Sequence, residues 1–81
     1  MTLDTLKNAN RVIGIKQVAK AVRRGAVREV FIADDAEKRI VEPLRELCRE
    51  QNVPTGRAET MEQLGKACGI EVSAAAAAVL I

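Results

Sequence analysis

The segment Ile70-Glu71-Val72-Ser73-Ala74-Ala75-Ala76-Ala77-Ala78-Val79-Leu80-Ile81 decides the fold, because its local signals disagree. Five consecutive alanines from Ala74 favour a helix on propensity. Ile70 and Val72 on one side and Val79, Leu80 and Ile81 on the other favour a strand. A strand covered by helices on both faces needs small side chains, and on that ground we read a strand from about Ala75.

Upstream, Val30-Phe31-Ile32-Ala33 is an unbroken apolar run bounded by charge, the pattern of a strand buried on both faces. Arg11-Val12-Ile13 is a brief strand ended by Gly14, and a further one is expected near Thr55 to Ala58. The stretches between them change period. Ile15, Val18, Ala19 and Val22 form one apolar helical stripe, closed by Gly25, with Arg23 and Arg24 at the negative end of the helix dipole. Ile40, Val41, Leu44, Leu47 and Cys48 form another, with Arg45, Glu46, Arg49 and Glu50 on its other side.

Pro43 must stand in the first turn of that helix or kink it, and Asn52-Val53-Pro54 ends it. Thr60-Met61-Glu62-Gln63 has capping-box spacing and opens a short helix that Gly65 or Gly69 stops. Thr2 to Asn8 reads as a short helical opening with Leu3 and Leu6 three apart and Thr2 or Asp4 as its cap. Helices alternating with short strands give one α/β domain over residues 1–81, a small sheet between helical layers.

Composition removes whole chemistries. With 81 residues, a single core is the ceiling and a deep catalytic cavity is hard to build. There is no histidine, so neither a Ser-His or Cys-His nucleophilic pair nor a Cys₂His₂ zinc site exists, and an enzyme is not expected. Cys48 and Cys68 fit neither a CxxC redox motif nor a four-ligand metal site and read as buried thiols. Phe31 is the only aromatic, which excludes the base-stacking platforms of RRM and OB modules. The start Met1-Thr2-Leu3-Asp4 lacks a signal pattern and no apolar run is long enough to span a membrane, so a soluble cytoplasmic domain is expected.

The net charge of +2 hides a division. Residues 1–28 carry seven bases against Asp4 alone, a net +6, whereas residues 29–81 carry six bases against ten acids, a net −4. A segment of that kind suits a polyanion, or is a solvated face unevenly dealt.

Gly65-Lys66 is not a phosphate loop, because Thr60 and Ala67 stand where a Walker sequence needs glycine and a hydroxyl. Asp34 and Asp35 supply too few ligands for a metal and are expected to hold a turn and cap the long helix. No cofactor or metal is expected. The informative segment is Gly14-Ile15-Lys16-Gln17-Val18-Ala19-Lys20. As a helix start it offers free backbone N–H groups and the positive dipole end, with Lys16 and Lys20 one turn apart and Arg23 or Arg24 a turn further. Lysine donates to guanine O6 and N7, and glutamine both donates and accepts at a base edge. Taken alone, the helix reads first as a solvated basic face opposite the apolar stripe.

These stretches, with Val30 to Glu37, Leu47-Cys48, Asn52-Val53-Pro54 and above all Leu64 to Ala74, resemble the ribosomal protein L-seven-Ae family, in its short bacterial form, over roughly residues 5–81. The resemblance implies a three-layer α/β/α sandwich with a small mixed sheet of about four strands. It also implies binding to kink-turns, sharp bends in duplex RNA formed by a bulge beside tandem sheared G·A pairs.

The family's Gly-x-Asn-Glu-x-x-Lys motif is matched by Gly14 and Lys20, while Lys16 replaces the Asn and Gln17 the Glu. Lysine cannot accept a hydrogen bond as asparagine can, which shifts affinity from base readout toward phosphate charge. The resemblance further assigns Ile70, Glu71, Val72 and Ser73 to a loop that packs on the bulge, Glu37 and Val41 to a pocket for a flipped base, and Lys66 to a phosphate.

The expected function is recognition and stabilisation of kink-turns in structured RNA of ribosomal or riboswitch type. The ribosome is a candidate partner, no membrane is involved and the protein acts as a monomer. The alternative is a protein-interaction adaptor that kept the fold and lost RNA binding. A fragment of an RNA-modifying enzyme is a third reading, and the lack of a cofactor domain argues against it.

Overall fold

The computed structural model describes residue 6 and residues 10–81. Apart from Leu6, which is buried, the helical opening expected over Thr2 to Asn8 lies outside the described residues. Seven elements follow in chain order: β1 (Arg11–Ile13), α1 (Ile15–Arg23), β2 (Val27–Ala33), α2 (Lys38–Glu50), β3 (Thr55–Ala58), α3 (Met61–Ala67) and β4 (Ala76–Leu80).

The alanine run is a strand, and it lies inside the sheet. The strand order is β1-β4-β2-β3, with β4 antiparallel to both neighbours and β2 parallel to β3. Ala76, Ala77 and Ala78 are fully buried, so packing from both sides has overridden helix propensity. The register shows why small residues are needed. Phe31 stands level with Ala77 on one side and Gly56 on the other. The ring fits because both neighbours on its face are minimal.

A bulge at Arg28 separates the Val27–Leu80 pair from the Glu29–Val79 pair and leaves Arg28 exposed. Val30, Ile32, Ala76 and Ala78 share one sheet face by register, and Phe31, Ala33, Ala77 and Val79 the other. Arg11 lies on the second face and donates to the carbonyls of Leu6 and of Cys68, at the end of α3. α3 therefore covers that face, packing on β2, β3 and β4, while α1 and α2 pack against each other. The result is the helix–sheet–helix layering expected.

Three local expectations need correction. Asp34 and Asp35 do not cap α2: its N-cap, Glu37, makes no side-chain cap bond. Asp35 Oδ1 instead accepts from the Met61 N–H at 2.7 Å and caps α3, and Asp34 Oδ2 takes both Arg57 Nε and Nη2 at 2.8 and 2.6 Å. Both carboxylates tie the end of β2 to the neighbouring β3–α3 connection, a long-range use that sequence spacing cannot show.

Pro43 is the sixth residue of α2, inside the helix, where it removes the donor that the Arg39 carbonyl would receive. Ile40 does not join Val41, Leu44 and Cys48 in the core; it is 46% exposed. Of the two candidate stops for α3, Gly65 is buried within the helix and Gly69 follows its end. Thr60 Oγ1 accepts from the Gln63 N–H at 3.0 Å as a capping box requires, but Gln63 Oε1 reaches back to the N–H of Glu59, one residue before the cap.

Candidate nucleic-acid interface

Topology gathers the sequence-predicted residues at one end of the sheet. β1 and β2 run parallel to each other and finish at that end, and antiparallel β4 begins there. The Gly14 N–H donates to the Ala76 carbonyl and the Ala33 N–H to the Ala75 carbonyl, both at 2.9 Å. These two bonds fix the start of α1 and the approach to α2 against the segment that follows the 70–73 loop. Gly14, Lys16, Gln17, Glu37 and Ile70 to Ser73 therefore share one edge of the molecule.

Gly14 is the N-cap of α1 with φ 100° and ψ 147°, and a side chain there would meet nothing within 4 Å. The requirement for glycine is thus conformational. The first bond inside α1 runs from the Val18 N–H to the Gly14 carbonyl. No side chain caps the helix, and the N–H groups of Ile15, Lys16 and Gln17 have no acceptor among the described residues. α3, in contrast, has its first turn capped by both Thr60 and Asp35. Among the described residues nothing takes up the donors or the positive dipole end at the start of α1, an arrangement that suits an anion.

The charges sort in the same direction. On α2 the three arginines are engaged, Arg39 with Glu37 at 2.7 Å, Arg45 with Glu42 at 3.4 Å and Arg49 with Glu46 at 2.7 Å, and Lys38 alone has no ion pair among the described residues. Arg57 pairs with Asp34 and Lys66 with Glu62 at 3.4 Å. On α1, Lys16, Lys20 and Arg23 are exposed and none has a carboxylate within ion-pair distance among the described residues. A helix whose cations have no internal partner keeps its full field for an external polyanion.

The second surface is the loop after α3. Glu62, Lys66, Ile70, Glu71, Val72 and Ser73 line one open depression of about 480 Å³. Val72 is 69% exposed and Ile70 is partly buried, so the loop presents aliphatic surface outward beside a paired lysine. Backbone bonds from Ile70 N–H to Gly65 O at 3.1 Å and from Ala74 N–H to Met61 O at 3.0 Å hold its two ends on α3.

Glu37 lies exposed at the start of α2, but Val41, 2% exposed, turns into the core. Sequence reasoning missed Ile40, which projects near the start of α2. Its apolar character looked like core, and only its angular offset from Val41, Leu44 and Cys48 distinguishes it. It also missed the Glu62 partner of Lys66, although the i,i+4 spacing was legible. The cysteines are free and buried, and burial pushes both thiols above their ordinary range. Among the described residues no group of acids, cysteines or histidines could hold a metal ion, and no helix is long and apolar enough to cross a membrane.

Residues 2–81 match the model of the family described as "Ribosomal protein L7Ae/L30e/S12e/Gadd45 family". The chain is 45% identical over 69 residues to "RNA-binding protein YbxF" of Geobacillus stearothermophilus, covering 85% of this chain and 84% of the relative. It is 45% identical over 71 residues to "RNA-binding protein TTE2299" of Caldanaerobacter subterraneus subsp. tengcongensis, covering 88% and 87%. Among solved structures, the "Giardia lamblia 15.5kD RNA binding protein" superposes with a TM-score of 0.89 at 29% identity, over 98% of this chain and 70% of that one. A protein of unknown function from Bacillus halodurans superposes with a TM-score of 0.85 at 27% identity, over 95% and 81%.

Proposed function

The chain belongs to the ribosomal protein L7Ae/L30e/S12e/Gadd45 family, and from that premise we propose that it binds structured RNA and stabilises the kink-turn. The observation that carries the reading is the pairing of two unlike surfaces at one sheet end: the uncapped, cationic start of α1 and the aliphatic 70–73 loop. A uniformly basic patch would suit any duplex. A donor-rich helix end beside an apolar ledge suits a bend in which phosphates crowd together while bulged nucleotides lose their stacking partners.

In this reading the N–H groups of Ile15 to Gln17 and the ammonium groups of Lys16 and Lys20 meet phosphate and guanine edges. Gln17 supplies the donor–acceptor pair at a base. Ile70 and Val72 pack on the bulge, Glu37 borders the flipped nucleotide and Lys66 meets a phosphate, while Val41, buried in the core, supports the pocket from beneath. Shape recognition of this kind needs no aromatic platform. The RNA samples extended and bent forms, and a protein complementary to the bend raises its population by the difference in affinity for the two.

The protein acts as a cytoplasmic monomer on ribosomal RNA or a riboswitch. Titrating a labelled kink-turn RNA, and the same RNA with the tandem G·A pairs replaced by Watson–Crick pairs, tests the reading. Tighter binding to the first supports it, and equal affinity contradicts it.

A further inference from the structure

The cations of α1, which form no ion pair among the described residues, are followed by others past the end that the kink-turn would occupy. Arg23 and Arg24 stand at the C-terminal end of the helix, and Arg28 sits on the β2 bulge four residues later. All three are exposed, and none forms an ion pair among the described residues, although Glu29 is adjacent in sequence and Glu50 ends the parallel helix α2 at the same end of the sheet. The turn is held tightly, by bonds from Gly25 N–H to Val22 O at 3.0 Å and from Ala26 N–H to Ala21 O at 3.1 Å. The three arginines are thus carried on a fixed corner.

Arg23 lines one depression with Lys16 and belongs to the first surface. Arg24 and Arg28 lie beyond it: Arg24 is about 12 Å along the helix axis from Lys16, more than the Debye length of about 8–10 Å at physiological salt. A helix dipole accounts for bases at positions 23 and 24 but not for Arg28, which lies outside the helix. The bulge spends an unpaired residue to keep that arginine exposed while Val27 and Glu29 are both buried.

We propose that Arg24 and Arg28 form a second RNA contact, which takes the phosphate backbone of another A-form helix, so that the protein bridges a kink-turn to a neighbouring duplex. Arginine suits phosphate through its bidentate fork, and a straight duplex presents that phosphate along its whole length. The proposal rests on RNA binding at the opposite end of α1, and the test separates the two.

The wild-type protein, preloaded with unlabelled kink-turn RNA, is titrated with a fluorescein-labelled straight RNA duplex and read by anisotropy. The expected result is capture of the duplex by the loaded complex, weakened roughly tenfold or more in the Arg24→Gln/Arg28→Gln protein, which keeps its kink-turn affinity within about threefold. A Lys16→Ala/Lys20→Ala protein should show the reverse. The single Arg28→Gln change, which leaves α1 untouched, gives the same direction if the double variant unfolds. Equal duplex capture by wild type and variant overturns the proposal, as does a double arginine variant that loses kink-turn RNA as strongly as the lysine pair. Loss of kink-turn selectivity in the wild type would instead strike the primary site.

Discussion

Gly65 and Val72 are packed backbone to backbone: a Cβ added to Gly65 would penetrate the Val72 carbonyl oxygen and lie 3.1 Å from its carbon and 3.3 Å from Ser73 Cα. The contact seats the 70–73 loop on the middle of α3. It explains a glycine inside a helix, where alanine would otherwise be favoured by about 1 kcal/mol.

The Gly65→Ala protein should therefore be less stable, not more. Overpacking of this type costs about 1–3 kcal/mol, and thermal unfolding by circular dichroism reads it. The same change displaces the loop, so RNA affinity should fall further than stability alone explains. An unchanged melting temperature would show that the loop yields freely and is not a fixed ledge.

Asp35 and Thr60 hold the first turn of α3 from two sides. Replacing either with alanine should cost about 1 kcal/mol, and Thr60→Ser should recover most of it. Denaturant titration of the four proteins checks this. If Asp35→Ala matches wild type, the carboxylate does not tie the end of β2 to α3.

Much of the architecture was legible in sequence because it is local. The period of Ile15, Val18 and Val22, the apolar run of Val30 to Ala33 and the Thr60 cap are each determined by residues within a few positions. Asp34 and Asp35 were misassigned because their partners, Arg57 and Met61, are 23 and 26 residues away. Ile40 was misassigned because apolar character does not give helix azimuth to better than one residue. At the candidate site, Gly14 and the basic face of α1 could be read directly. Their approach to Ala76 and the 70–73 loop could not, since it depends on β4 entering the sheet between β1 and β2.

Ala77 lies level with Phe31, so enlarging it should be felt at once. Ala77→Leu is expected to lose about 1–3 kcal/mol of stability, while the exposed Ala-to-Leu equivalent on a helix surface would be near neutral. Urea unfolding distinguishes a strained core from one that repacks.

The buried thiols set an alkaline limit. Burial raises both Cys48 and Cys68, against a smaller opposing effect of Arg45 and Arg11, so the folded state holds its protons to higher pH than the unfolded chain. Stability from this source is complete at neutral pH and is lost as pH rises above the ordinary thiol value of about 8.5. The midpoint of urea unfolding should hold level to that pH and then decline. A Cys48→Ala/Cys68→Ala protein should show less of the decline.

Lys16 and Lys20 have no ion-pair partner among the described residues, whereas Arg45 and Arg49 do. Alanine at both lysines should weaken RNA binding and flatten its log–log salt dependence by roughly 0.7–0.9 per lost phosphate contact. Alanine at both arginines should change neither appreciably. An indifferent lysine pair would favour a protein-docking role for this fold.

The central claim is that the protein shifts RNA toward the bent form, and energy transfer between dyes on the two arms of a kink-turn RNA measures that directly. Adding wild-type protein in low-magnesium buffer should raise transfer to the bent level. With the G·A pairs replaced, transfer should stay at the extended level at the same protein concentration. Binding without a rise in transfer, or an equal rise on both RNAs, would contradict the account.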